Sequence, residues 1–229
     1  DESEKVMSRA LQMARSTGDL DREGEALNGL AALCHMRGEQ DAALDLAQQS
    51  LALAEATGNR RSQGTMLGNI GLVQMERGQW QQAEASMRQG AQVSAQVGNL
   101  SQQGTCMIDL ALLYSRLGRP GEAEVLLHDA IVLLNEVGHL RALAQAWLNL
   151  GTLQANRGDA DVALSSFSTA LEIGLRARDP VMQCRARIER GLALRSLGRF
   201  SEALASCDAA VMGAREIKAK ADLDKFLMY

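Results

Sequence analysis

The stretch RGQWQQAEASM at residues 77–87 returns in altered form as RGDADVALSSF at residues 157–167 and as LGRFSEALASC at residues 197–207. Each version has a glycine at its second position and an alanine five positions after that glycine. Alignment of the chain with itself shows that the pattern recurs every 40 residues without an insertion. A fixed period of this length is typical of proteins that stack one supersecondary unit many times, so the period predicts a repeat protein.

Small residues fill several columns of this alignment. One column holds Gly38, Gly78, Gly118, Gly158 and Gly198, and another holds Ala43, Ala83, Ala123, Ala163 and Ala203. Further columns hold Ala31, Gly71, Ala111, Gly151 and Gly191, then Ala10, Ser50, Gly90, Ala130, Ala170 and Ala210, then Gly18, Gly58, Gly98 and Gly138. Antiparallel helices approach closely only where the side chains at the crossing are small. The columns therefore predict an all-α fold of antiparallel helix pairs.

Residues 140–157 show the first helix of such a pair, because apolar residues recur there at helical spacing. Gly158 follows, and glycine easily adopts the positive φ that often ends a helix. A second helix is predicted over residues 161–176. Pro120 and Pro180 stand where helices should begin, a position that tolerates proline.

The composition supports this prediction and excludes other classes. The 229 residues are 46% hydrophobic, 3% aromatic and 23% charged, with a formal net charge of -4. Such a chain is neither a disordered tail nor a basic nucleic-acid-binding domain. No signal-peptide pattern and no apolar run long enough to span a bilayer is recognised in the sequence, and its four cysteines show no CxxC spacing. These features predict a reduced, cytoplasmic setting.

The columns resemble the tetratricopeptide repeat, a family of helical repeats. The family pattern is matched best by Trp147, Leu150, Gly151, Gly158, Ala163, Phe167 and Ala170, and also by Leu110, Ala111, Tyr114, Gly118, Ala123 and Ala130. The resemblance covers essentially the whole chain. The period is longer than the family's usual value of about 34 residues and is similar to that of kinesin light chains, spindle-orientation adaptors and bacterial regulators. The resemblance implies an α-α superhelix.

The predicted organisation is a single array over residues 1–229 with about five full units and a half-repeat at each end. The units are a half-repeat at 1–18, full repeats at 19–58, 59–98, 99–138, 139–178 and 179–218, and the start of a further helix at 219–229. Neither end carries a polar capping helix, so we expect the chain to be part of a longer array or of a multidomain protein.

A candidate binding groove follows from the resemblance, which implies that one face of each first helix lines a concave surface. Helical spacing along that face gives Thr65, Asn69, Leu72 and Glu76, then Thr105, Asp109, Leu112 and Arg116, then Gln145, Asn149, Thr152 and Asn156, then Arg185, Glu189, Leu192 and Ser196. Asn69 and Asn149 match an asparagine that in the family commonly bonds the backbone of a bound peptide. An amide suits that role because it both donates and accepts. The alternative is that these polar residues only keep the surface soluble.

Two arginines in the last full repeat break the pattern. Arg187 and Arg190 stand where the family places a bulky apolar residue and a leucine. One hypothesis is a clamp for a carboxylate or a phosphate. The alternative, which the sequence favours, is a slightly rotated helix in which Ile188 and Leu192 pack instead and the arginines extend to solvent.

No catalytic or metal-binding pattern is found. Cys34–His35 and His128–Asp129 are neighbours in sequence, and adjacent residues on a helix do not face each other. The three histidines have no partner at metal-ligand spacing, so no enzyme, metal site or cofactor is predicted. Cys34 and Cys207 fall in core columns and are predicted to be buried.

The sequence therefore predicts a non-catalytic scaffold that binds a peptide segment of a protein partner, without nucleic acid or membrane. The alternative is a sensory segment of a larger signalling protein, such as a transcriptional activator or a nucleotide cyclase. Residues 1–60 hold 11 acidic and 6 basic residues, whereas residues 172–220 hold 6 acidic and 10 basic ones. One interpretation of this charge gradient is that it orients a partner or, with the uncapped ends, promotes head-to-tail self-association. The alternative is that it is only a solvated face.

Overall fold

A computed structural model shows an all-helical chain. The secondary structure is described for residues 2–227 and the side chains for residues 3–218. The helices are α1 (Glu2–Thr17), α2 (Leu20–Met36), α3 (Gln40–Ala56), α4 (Arg60–Glu76), α5 (Trp80–Gln96), α6 (Leu100–Arg116), α7 (Pro120–Glu136), α8 (Leu140–Arg157), α9 (Ala160–Arg176), α10 (Pro180–Ser196) and α11 (Phe200–Leu227). No strand occurs within residues 2–227. The predicted all-α class is confirmed.

The helices begin at the predicted interval, and two local devices set their ends. The glycines of both turn columns have positive φ, including Gly18 at 69° and Gly198 at 72°. The residue after the second glycine column caps the next helix: Asn59, for example, accepts a hydrogen bond from the Ser62 backbone N–H. Arg178 takes the glycine position before α10 with a φ of 51°, an uncommon conformation for a residue with a Cβ. The turns are therefore determined by residues within a few positions of each helix end.

We expect Gly158→Ala to lower the free energy of unfolding by about 1 kcal/mol, because its φ of +94° strains a residue that carries a Cβ. No neighbouring atom lies within 4 Å of the Cβ position, so the backbone conformation accounts for the effect. Arg178→Gly is the inverse change and should raise the free energy of unfolding. Urea denaturation of both variants checks this, and equal stability of Gly158→Ala and the parent chain would contradict it.

The chain divides into two compact units, Asp1–Leu117 and Gly118–Tyr229. In the first unit, α4 packs between α3 and α5 and also contacts the first helices of its neighbouring repeats, α2 and α6. In the second unit, α8 pairs with α9, α10 pairs with α11, and α8 contacts α10. Each unit thus places first helices side by side.

The small columns form the helix crossings. The five alanines of the column Ala43, Ala83, Ala123, Ala163 and Ala203 are all buried. Cys106 and Cys184 are buried, whereas Cys34 and Cys207 are only half-buried, so the prediction that the latter two are buried was wrong. A column fixes which face a residue lies on, and its exposed fraction depends on the size of its neighbours.

The last helix differs from its equivalents. Helix α11 continues from Phe200 to Leu227 without the positive-φ turn that ends the other second helices, and Lys218 stands at the turn position. The side chains of residues 219–229, predicted as the start of a further helix, lie outside the described residues.

Candidate functional site

The first unit places eight of the predicted groove residues on adjacent first helices. They are Thr65, Asn69, Leu72 and Glu76 on α4 and Thr105, Asp109, Leu112 and Arg116 on α6. We call this set the first-unit surface. Glu76 and Arg116 are exposed and the other six are half-buried, so the surface is open enough to receive a ligand and partly shielded from water.

Two predicted groove residues already have partners within the protein. The Asn69 Nδ2 donates to Asn28 Oδ1 at 2.8 Å, across α2 and α4. The Arg116 guanidinium donates to Glu76 Oε1 at 3.0 Å, across α4 and α6. Helical spacing did not indicate Asn28, because the position equivalent to Asn69 on α2 is Gly29 and Asn28 lies one residue before it. These bonds leave one Asn69 N–H and its carbonyl oxygen for a ligand.

Asp109 is the unpaired charge of the first-unit surface. Its side chain is half-buried, and it forms no hydrogen bond or ion pair within the part of the chain that the structure describes. Burial raises the pKa of its carboxyl from 3.8 to about 7. A carboxyl that is shielded from water and lacks a partner gains most from a cation or from a hydrogen-bond donor.

The second unit connects three of its predicted groove residues. Gln145 Nε2 donates to Asn149 Oδ1 at 2.6 Å, and Gln145 Oε1 accepts from the Arg185 guanidinium at 2.7 Å. These two hydrogen bonds hold the side-chain amide of Asn149 in one orientation. Asn156 and Arg185 are exposed, while Glu189 is half-buried. The arrangement is a polar surface with a positive charge at one end.

The rotated-helix prediction for α10 was wrong. Ile188 is 46% exposed and Leu192 is 41% exposed, whereas Arg187 and Arg190 are half-buried. The register of the helix is fixed by Gly191, where a Cβ would come within 2.6 Å of Cys207 Sγ and 3.3 Å of the Ala203 carbonyl oxygen. Because this close crossing prevents rotation, the two arginines face α11 in spite of their charge.

No group of three or more potential metal ligands is found among the described residues. Burial raises the pKa of the Cys106 thiol to about 11, so this cysteine is protonated and unreactive at neutral pH. None of the described helices has both the length and the apolar composition to cross a bilayer.

Paired helices in a fixed interval, with glycine turns and small residues at each crossing, define an α-helical repeat protein. The chain belongs to the tetratricopeptide repeat family, whose model matches residues 1–56 and 62–135. No curated protein matches the chain in sequence.

Solved structures show the same fold. BtubC from P. vanneervenii superposes with a TM-score of 0.75 at 21% identity, covering 95% of this chain and 91% of that one. The Rap conjugation gene regulator of plasmid pLS20, solved with the Phr* peptide, has a TM-score of 0.74 at 16% identity and coverages of 93% and 60%. NprR, solved with its cognate peptide NprX, has a TM-score of 0.68 at 17% identity and coverages of 96% and 65%. These likenesses establish a helical-repeat fold.

Proposed function

We propose that this protein is a non-catalytic scaffold that binds a peptide segment of a protein partner on its first helices. The observation that carries the proposal is Asp109, a half-buried carboxyl without a partner among the described residues, at the centre of the first-unit surface. Leaving such a group unpaired is costly, and a bound donor removes the cost. The peptide-bound structures of NprR and of the Rap regulator support this use of the fold.

The chemistry of the first-unit surface selects the kind of peptide. Asp109 favours a positively charged residue, since the Glu76–Arg116 pair on the same surface is already neutralised. The half-buried Leu72 and Leu112 supply apolar contact on the same surface, and the free groups of Asn69 suit a peptide backbone. Because Asp109 must be ionised to hold a cation, affinity should fall as the pH is lowered through about 7.

The test begins with peptides selected from a phage-displayed random library against the intact chain. We expect selected peptides to carry a lysine or an arginine, and acetylation of that lysine to weaken binding. Selection of acidic or purely apolar peptides would contradict the assignment of Asp109 as the anchor.

Asn69→Ala should weaken a selected peptide about five- to one-hundred-fold, or about 1–3 kcal/mol, because peptide polar groups lose their partner. The free energy of unfolding should change by about 0.5 kcal/mol or less, since water reaches the half-buried Asn28 that Asn69 bonds. Calorimetric titration and urea denaturation measure the two quantities.

Gln89→Ala on α5 is the matched control, since this exposed amide lies on a second helix of the same unit. It should alter neither quantity. The same comparison with Asn149→Ala tests the second unit separately. Full affinity in both asparagine variants would place the peptide elsewhere.

A second candidate function is the sensory segment of a larger signalling protein. It is supported by the Rap regulator and NprR, of which the matched parts are 60% and 65% of the whole chains. Sequencing the open reading frame that encodes this array tests this candidate, because a sensory segment requires an effector domain in the same reading frame. An open reading frame containing only helical repeats would reject it.

A further inference from the structure

A small pocket between α10 and α11 contains the two arginines that break the repeat pattern. It has a volume of about 200 Å³ and is lined by Arg187, Arg190, Glu202, Ala205, Ser206 and Ala209. The first-unit surface and the predicted groove residues of the second unit contribute nothing to this lining. We call it the arginine pocket.

Other repeats fill the equivalent positions with apolar side chains. The position of Arg187 holds Leu27, Leu67, Met107 and Trp147 in the preceding repeats, and that of Arg190 holds Leu30, Ile70, Leu110 and Leu150. Leu67, Ile70 and Leu150, for example, are buried. The arginine pocket thus replaces core side chains with two charges.

The guanidinium groups of Arg187 and Arg190 have no hydrogen bond or ion pair among residues 3–218. The carboxylate of Glu202, which lines the same pocket, is bound by both nitrogens that Arg199 presents, each at 2.7 Å. Arg190 is close enough to contribute to the lowered pKa of Glu202, after the larger effect of the Arg199 hydrogen bond. The pocket therefore contains two guanidinium groups without a hydrogen bond or ion pair to a carboxylate among residues 3–218, and the one nearby carboxylate, that of Glu202, is paired with Arg199.

The backbone holds these charges in place. Ser206 Oγ donates to the Arg187 carbonyl oxygen at 2.9 Å, which ties α11 to α10 at the pocket. The Arg187 Nη1 lies 3.9 Å from the position that a Cβ would take at Gly213, which places the guanidinium against α11. Two half-buried like charges repel each other and lose hydration, and a bound anion offsets both costs.

We propose that the arginine pocket binds a phosphate dianion through Arg187 and Arg190. Guanidinium groups pair with phosphate oxygens through two parallel N–H donors, and the charge of a dianion equals that of the two arginines. A single carboxylate would neutralise only one of them.

The experiment measures the thermal midpoint of the whole chain in sodium phosphate and in sodium chloride of equal ionic strength, and the affinity for inorganic phosphate by calorimetric titration. We expect phosphate to raise the midpoint above the chloride value. The variant R187M/R190L introduces the residue types that other repeats have at the equivalent positions, Met107 and Leu150. It should bind phosphate at least about tenfold more weakly, because charged hydrogen bonds are lost. Its midpoint in chloride should equal or exceed that of the parent chain.

Arg195→Met is the matched control, since Arg195 is an exposed arginine of the same helix outside the pocket. It should retain the phosphate response.

Phosphoserine amide distinguishes the source of the phosphate group. Binding as tight as that of inorganic phosphate indicates a phosphorylated side chain, and weaker binding indicates free phosphate. Equal midpoints in phosphate and chloride, or equal affinity for acetate and phosphate, would overturn the proposal. Should R187M/R190L fail to fold, Arg190→Leu alone gives the same comparison.

Discussion

Gly90→Ala should lower the free energy of unfolding by about 1–3 kcal/mol, although alanine favours helix over glycine. A Cβ at position 90 would lie 3.0 Å from the Gly64 carbonyl oxygen and 3.1 Å from the Gly68 backbone nitrogen. Both contacts are backbone atoms of α4, so no side chain can rotate away and the two helices must separate. Urea denaturation measures the loss.

Gly121→Ala is the matched control for this change. Gly121 lies in the first turn of α7 with no atom within 4 Å of its Cβ position. The same substitution there should stabilise the chain by about 0.5–1 kcal/mol. Hydrogen exchange should show protection falling in α4 and α5 of Gly90→Ala before α8 and α9, because repeats transmit damage mainly to their neighbours. A stabilising effect of Gly90→Ala would mean that the helices do not cross at this glycine.

Asp109→Asn should raise the free energy of unfolding at pH 8 by about 1–3 kcal/mol. The pKa of Asp109 is about 7 in the folded chain, against about 3.9 for an ordinary aspartate in an unfolded one. Between these values the folded state retains a proton that the unfolded chain has released. The stabilisation from this carboxyl is therefore complete at low pH, is lost as the pH rises through about 7, and stays lost above it.

The difference between Asp109→Asn and the parent chain should accordingly vanish near pH 4. Urea denaturation at pH 4 and pH 8 makes the comparison. Asp45→Asn, at an exposed position of α3, is the control and should change stability by no more than about 0.5 kcal/mol. An equal gain at both pH values for Asp109→Asn would show that the carboxyl is not the cause.

Local chemistry explains why so much of the fold was predictable. Gly158 has the positive φ that its position in the repeat predicts, and Ala163 is fully buried at a helix crossing. Pro120 and Pro180 begin α7 and α10 as expected. Such features depend on a few neighbouring residues. Because they recur in successive repeats, the pattern in one repeat supports the prediction made for the next.

The site was predictable only as a set of positions. Helical spacing placed Asn69 and Asp109 on adjacent first helices, where the structure has them. It did not indicate that Asn69 bonds Asn28, or that Asp109 is left without a partner among the described residues. Those properties depend on which side chains of other helices come near, and on how much water they exclude.

The sequence by itself determined the helix pairs, their turns and the tetratricopeptide repeat family, because a small residue at every crossing is a requirement that sequence spacing records directly. Only the tertiary structure decided which direction the side chains of Arg187 and Arg190 take. Their charge predicted a helix turned toward solvent, but the tight crossing at Gly191 fixes the register of α10 and directs both arginines to α11. The register of a packed helix follows its closest backbone approach, since steric overlap costs more than partial desolvation of a flexible charged side chain.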